Sequence, residues 1–193
     1  MLVQLVALAL LAALSMFLYF PINERKESVR ESVVIRYIPF IPAFVVPYLG
    51  LFPYIAFSML AVLFFTPVAA RLYVSLIFSS LVAAFIWYFL PSGVSGRPNV
   101  VPRGPFTKTV AWMYRVDPGG NNLPSSHTYM ALLCSYYLTY AFPLHETLIW
   151  TWGATIVGST LFVKQHHVAD LIAGGVLAAV SVGFSYLILG GLG

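Results

Sequence analysis

Stretch after stretch of this chain is apolar for about the 20 residues a helix needs to cross a bilayer. Met1–Phe20, Val68–Leu90, Leu144–Val163 and Val168–Leu189 each carry at most one Asp, Glu, Lys or Arg. Sixty per cent of the 193 residues are apolar and 8% charged, with a mean hydropathy of +0.88. The outer faces of a soluble domain must meet water, which excludes that class here. The chain is expected to fold as an all-α polytopic membrane helix bundle. At about 20 residues per span, its length holds about six transmembrane helices in a single integral membrane domain over residues 1–193, with no room for a second soluble domain.

The first span is expected to be a retained helix rather than a signal peptide. No Lys or Arg precedes the run, and it ends in Phe-Leu-Tyr-Phe-Pro without a small-residue cleavage site. Asn23–Arg36 alternates basic and acidic residues and reads as a solvated interfacial helix or loop. Pro39, Pro42, Pro47 and Pro53 make Tyr37–Phe65 too broken for one straight helix, so an irregular start followed by a span over Leu49–Phe65 is predicted. Val68–Leu90 is the third helix, with Arg71 placed to snorkel to the interface. Pro91–Ser126 is polar and turn-rich, the longest loop, and lies between helices three and four. His127–Phe142, Leu144–Val163 and Val168–Leu189 complete the set. By parity, the loops after helices one, three and five share one membrane face, which brings Pro91–Ser126 and the Lys164–His167 turn together.

The lone Cys134 allows no intramolecular disulfide. The formal charge of +4 is spread over loops without a basic cluster interleaved with exposed aromatics, so no nucleic-acid partner is expected. Basic residues near a bilayer instead suit anionic headgroups.

Two segments carry candidate chemistry. In Leu123-Pro124-Ser125-Ser126-His127, a serine caps the start of helix four, and the unpaired N–H groups of that first turn suit a phosphate. His127 then stands where it can protonate a bound anion. In Lys164-Gln165-His166-His167-Val168-Ala169-Asp170, the i,i+4 spacing puts His166 and Asp170 on one helical face. A carboxylate on one imidazole nitrogen fixes the tautomer and leaves the other as a nucleophile or base. A carboxylate opening an apolar span also needs a partner. Each segment alone fits a capped helix or a structural His–Asp pair. Together, with Arg97, Arg103, Lys108 and Lys164 on the same face, they describe a phosphoryl-transfer site that needs no metal or other cofactor. His167 reads as interfacial, His145 and Glu146 as solvated on the opposite face, and Tyr136, Tyr137 and Tyr140 as packing or belt residues. Asp117 reads as a turn residue before Pro118-Gly119-Gly120.

These motifs resemble those of the type-2 phosphatidic acid phosphatase superfamily, especially its branch close to inositol phosphorylceramide synthases. Pro124-Ser125-Ser126-His127 resembles the second box of that family, Pro-Ser-Gly-His. Ser159-Thr160, five residues, then His166 and Asp170 resembles the third, Ser-Arg-x5-His-x3-Asp. Arg97-Pro98 matches the end of the first box, but Leu90 stands where its Lys belongs, and Thr160 replaces the Arg of the third. Tyr114-Arg115-Val116-Asp117-Pro118 through Asn121-Asn122-Leu123 resembles the approach to the second box in the synthase-like branch. That branch also tolerates Thr after Ser and often carries Lys-Gln-His. The resemblance implies that His166 attacks phosphorus, Asp170 orients it and His127 protonates the leaving alkoxide. It further implies that Arg97, Ser125 and Ser126 hold the phosphate oxygens, with Lys164 or Arg103 replacing a missing cation. The implied substrate is a phospholipid or isoprenoid phosphate, the acceptor water or an alcohol, and the setting the cell membrane. Neither the lipid nor the oligomeric state is written in a motif.

Rival readings are an intramembrane serine protease, from Gly93-Val94-Ser95-Gly96, a metal hydrolase on His127, His166, His167 and Asp170, and a non-catalytic lipid-phosphate transporter or binding protein. The first pattern should open a buried helix, yet Arg97-Pro98 follows it directly. The second lacks a His-Glu-x-x-His helix. On sidedness, Arg25, Lys26, Arg30, Arg36, Arg97, Arg103, Lys108, Arg115 and Lys164 share the site's face, against Arg71 on the other. The positive-inside rule therefore points to the cytoplasm. The resemblance implies an extracytoplasmic or lumenal site, and that is the expectation adopted, the Pro-rich second helix being where the parity count is weakest.

Overall fold

The computed structural model describes residues 2–23, 28–30, 37–94, 96–117 and 119–190. Most of the charge-dense Asn23–Arg36 stretch lies outside the described residues. Helix α1 (Leu2–Met16) is followed after a turn by the short α2 (Tyr19–Asn23). A 3-10 turn at Pro42–Phe44 leads into α3 (Val45–Leu49) and then α4 (Leu51–Phe65). The prolines explain the segmentation. Pro42 opens the 3-10 turn, and Pro47 and Pro53 fall within the first turns of α3 and α4, where the missing N–H has no helical partner to lose. Gly50 keeps the path helical between them, donating to the Val46 carbonyl at 2.9 Å and accepting from Tyr54 N–H at 3.1 Å. Helix parity is therefore not shifted in this proline-rich region.

Thr66 makes a tight corner into α5 (Ala69–Phe89): its hydroxyl donates to the Val62 carbonyl at 2.8 Å and accepts from Val68 N–H at 3.3 Å. The polar loop that follows is not wholly irregular, as its composition suggested. It holds a short strand β2 (Ser92–Val94) and an amphipathic helix α6 (Pro105–Val116). Pro105 stands at the N1 position, and the Thr107 hydroxyl accepts from Gly104 N–H at 2.9 Å. Val110 and Met113 are buried while Lys108, Trp112 and Arg115 are exposed. Strand β2 pairs in parallel with β1 (Ser28–Arg30), Ser28 opposite Ser92, so the stretch read as a helix or loop contributes a strand.

Helices α7 (Ser126–Ala141), α8 (Glu146–Phe162) and α9 (Val168–Leu189) complete the bundle. Among the described residues, four helical runs, Leu2–Asn23, Pro42–Phe65, Ala69–Phe89 and Val168–Leu189, are long and apolar enough to cross a bilayer. Helices α7 and α8, at 16 and 17 residues, reach only about 24–26 Å at 1.5 Å per residue. Helix α7 is central, packed against α4, α5, α8 and α9, so protein surrounds it on most sides. Small residues let the helices approach, as expected where helices associate within lipid. Ser75 donates to the Ser181 carbonyl at 3.1 Å, and Tyr137 lies 2.8 Å from Ser185 and 3.0 Å from Ser75.

Three contacts gather the first loop, the third loop and the α8–α9 turn at one end: the β1–β2 pairing, Ile41 N–H on the Phe162 carbonyl at 3.1 Å, and Lys164 Nζ on the Ile38 carbonyl. That is the arrangement the parity count required. Arg71 does not snorkel. It is 5% exposed, donates to the Gly190 carbonyl at 3.1 Å and lies 4.0 Å over the Tyr186 ring. The end of α9 offers carbonyl oxygens there, a partner a cation prefers to a long reach toward water.

Candidate active site

Ser125 is the N-cap of α7, its hydroxyl accepting from Thr128 N–H at 3.3 Å. The next two residues, Ser126 and His127, open the helix. Helix α9 begins beside it. His167 is its N-cap, and the Asp170 carboxylate in its first turn accepts from His167 N–H at 2.8 Å, a position favoured by the helix dipole. The two helix starts are tied directly, because Ser125 N–H donates to the Asp170 carbonyl at 3.0 Å. Gly174 makes this approach possible. A Cβ there would stand 2.7 Å from Thr128 Cβ and 2.8 Å from the Ser125 carbonyl oxygen.

The result is a pair of buried histidines with ring centroids 6.1 Å apart. His166 turns Nδ1 toward Asp170 Oδ2 at 3.5 Å. His127 stacks on Tyr48, centroids 4.0 Å apart, and neither of its ring nitrogens makes a hydrogen bond. Tyr48 comes from α3, whose packing against α6 and α8 presses it onto the site.

Arg97 is held on several sides. Its Nη1 donates to the Asp117 carbonyl at 3.1 Å, its Nη2 donates to Gln165 Oε1, and its guanidinium lies 4.7 Å over the Tyr114 ring. Gly119, at φ +89°, leaves the space the guanidinium fills; a Cβ there would fall 2.2 Å from Nη2. Burial pushes the Tyr114 phenol up to about 12, with the Arg97 charge pulling the other way. Tyr114 therefore stays neutral and donates to the Val163 carbonyl at 2.7 Å. The Asp117 carboxylate has its own partners, Tyr19 hydroxyl at 3.0 Å, Asn23 Nδ2 at 3.2 Å and Gly119 N–H at 3.0 Å. Asp117 thus ties the end of the first helical run to the loop that carries Arg97. Arg97, Gln165, His166 and His127 form a continuous chain of neighbours, and Arg97 Nε, Gln165 Nε2, His166 Nδ1 and both His127 nitrogens are buried without a hydrogen bond.

A cavity of about 770 Å³ opens between α1, α4, α6 and α7. Its wall is apolar, with Met16, Phe20, Leu51, Ile55 and Met59 among the lining, and it is broken by Ser126, His127 and Asp117. A hydrocarbon chain suits such a wall, and the polar residues suit a headgroup.

Of the site residues named from the sequence, the fold brings together His127, His166, Asp170, Arg97, Ser125 and Ser126. It does not direct the other two cations there. Arg103 is exposed on the loop before α6. Lys164, at φ +57°, is buried with its ammonium on the Ile38 carbonyl, and burial draws it below its ordinary range. Leu90, where a Lys was expected, is 60% exposed. The Gly93–Gly96 pattern does not open a helix: residues 92–94 are strand and 96–104 irregular, while Ser95 lies outside the described residues. Sequence reasoning passed over Gln165, Tyr48, Tyr114, Gly119 and the ties of Asp117. Only the crowded Asp117-Pro118-Gly119-Gly120 turn offered a signal.

Apolar helices of spanning length enclose a buried histidine pair, one ring of which lines an apolar cavity, as befits a membrane protein. The PAP2 superfamily profile matches residues 69–192, and the chain belongs to that superfamily. Its members are generally phosphatases and phosphotransferases, which supports a phosphatase-type activity on lipid phosphates. The match does not single out the synthase-like branch. No curated protein and no solved structure matches the chain.

Proposed function

We propose that this protein is a multi-pass enzyme of the cell membrane that cleaves a phosphate ester of a lipid through a phosphohistidine on His166. The observation that carries the reading is the cluster of His127, His166, Asp170 and Arg97 at an apolar cavity open to Ser126 and His127. The substrate is a phospholipid or isoprenoid phosphate whose hydrocarbon chain lies in that cavity.

The chemistry follows from which groups the ring atoms face. Nδ1 of His166 faces Asp170, so Nε2 is the nucleophile, and Asp170 stabilises the imidazolium that forms. Nε2 attacks phosphorus, the phosphorus–oxygen bond to the lipid alkoxide breaks, and His127 gives that oxygen its proton. His127 then takes a proton from water or an alcohol, whose oxygen attacks phosphorus and releases His166. The histidine centroids are 6.1 Å apart, close enough for one phosphate ester to meet the nucleophile on one side and the proton donor on the other. Arg97 and the N–H groups at the start of α7 hold the remaining phosphate oxygens. The synthase-like features of the sequence, Thr160 after Ser159 and the run Lys164-Gln165-His166, favour transfer to an alcohol. The whole of residues 1–193 serves this one site as a single membrane domain.

The test compares purified protein and His166→Ala in detergent, with excess chelator, on a panel of lipid phosphates. Phosphate release and transfer of labelled phosphoryl to an added alcohol are both followed. The expected result is turnover that survives the chelator and disappears in the variant. Equal turnover by both proteins, or lipid-phosphate binding by the native protein without turnover, would overturn the reading, the latter in favour of a non-catalytic carrier.

A further inference from the structure

The departure at Thr160 leaves a question that the structure answers with a different residue. Thr160 cannot act as an anion ligand through its side chain: its hydroxyl donates to the Val157 carbonyl at 2.8 Å, inside its own helix. Its carbonyl instead accepts from Gln165 N–H at 2.9 Å and His166 N–H at 3.3 Å. This folds the Lys164–His167 turn back and carries the Gln165 side chain inward, where it is 2% exposed.

The orientation of that amide is fixed by its neighbour. Arginine has only donors, so the oxygen of Gln165 must face Arg97 Nη2, and Nε2 must point away from it. That nitrogen is buried with no partner, and so is Arg97 Nε. Two buried donors left without acceptors are costly. They become an asset when an anion occupies the site, because each then makes a charge-assisted hydrogen bond.

We propose that Gln165 takes the place of the absent arginine: its oxygen positions Arg97, and its amide N–H groups bind an oxygen of the transferred phosphoryl group. The proposal rests on the phosphoryl-transfer reading of the site. It gives the site one guanidinium and one neutral amide in place of a cluster of cations. Gln165 therefore has two functions, one direct and one through Arg97, and they separate by experiment.

Tungstate, a phosphate mimic, is the probe, its affinity for the full-length protein in detergent measured by calorimetry. Gln165→Leu removes both functions, and its affinity is expected to fall roughly 10- to 100-fold, the worth of a hydrogen bond to a charged group. Gln165→Glu keeps the shape and an acceptor for Arg97 but replaces the donor with a carboxylate, and is expected to bind at least as weakly. Tungstate affinity in Gln165→Glu within twofold of the native protein would overturn the donor function, whatever Gln165→Leu does to folding. For positioning, Arg97→Leu and the double variant with Gln165→Leu complete a cycle. Losses smaller in the double variant than the product of the single ones show that Gln165 acts partly through Arg97, and multiplicative losses overturn that half. The broader reading is checked separately, by lipid-phosphate turnover in native protein. Tungstate binding that depends on Gln165 without such turnover would leave the anion ligand in place and remove the enzyme.

Discussion

At the scale of single residues, the two histidines are distinguished by what already touches them. His166 has a carboxylate beside Nδ1, while His127 stacks on the Tyr48 ring and has no carboxylate at either nitrogen. In the proposed mechanism, nucleophile and proton donor differ by surroundings, not by residue type. His127→Ala is expected to lower kcat on a lipid phosphate by about 10²–10⁴-fold, the usual worth of a general acid. A p-nitrophenyl phosphate should suffer much less, since its leaving group needs no proton. Equal losses on both substrates, measured as kcat under saturating conditions, would deny His127 the proton-donor role. Asp170→Asn is expected to reduce kcat by a similar order while leaving KM nearly unchanged, because the carboxylate touches His166 and not the substrate. The residues beside them were unevenly legible. The His-x-x-x-Asp spacing announced His166 and Asp170, whereas nothing local distinguished Tyr48 from any aromatic in a membrane helix.

Glycines set the approach of the elements that carry these residues. Gly174 allows α9 to lie against the start of α7, where a Cβ would strike Thr128 and the Ser125 carbonyl. Gly174→Ala should push the two helix starts apart by a few tenths of an ångström or more. The expected result is loss of most activity at a modest loss of thermal stability, since a misplacement near 1 Å costs about 10²-fold in rate. Activity retained with unchanged tungstate affinity would show that the helices yield elsewhere. Gly119→Ala meets two obstacles, a positive φ of +89° and the Arg97 guanidinium. It is expected to destabilise the loop by about 1–2 kcal/mol and to weaken anion binding, as read by thermal unfolding and by tungstate titration. Helix boundaries were largely visible as apolar runs bounded by Pro and polar residues. Helix α6 was not, because Pro102, Gly104 and Pro105 mask an amphipathic pattern that begins only after them.

For the whole molecule, the proposed mechanism has the lipid chain lie next to His127, in the cavity between α1, α4, α6 and α7. Ala13 on α1 and Ala56 on α4 line it, and tryptophan at either position fills part of its volume. Ala56→Trp is therefore expected to raise KM for long-chain lipid phosphates several-fold while sparing a short soluble phosphate ester. If both substrates respond alike, the chain lies elsewhere. Sidedness is also a property of the whole. Glu146 is exposed at the end opposite the site, and Cys134, the chain's single cysteine, is buried, so Glu146→Cys offers a clean label. The superfamily resemblance predicts reaction with a membrane-impermeant maleimide from the cytoplasmic side alone. Reaction from the outside alone would put the site in the cytoplasm, where the basic residues of its face already point.

The sequence by itself determined the class of the molecule, because the composition of its apolar runs leaves no soluble alternative. It also brought out the His166–Asp170 pair and the Ser125 cap beside His127, because i,i+4 spacing and helix capping act over a single turn of backbone. Tertiary structure alone decided how the motifs combine. Arg97 meets Gln165 across 68 positions of chain, Tyr19 and Asn23 hold Asp117 from the first helical run, and Tyr48 reaches His127 through the packing of α3. The same packing turned Lys164 onto the Ile38 carbonyl instead of toward the histidines. Such contacts depend on close packing between helices, a matter of shape and volume among residues far apart in the chain, and hydropathy and spacing carry no record of it.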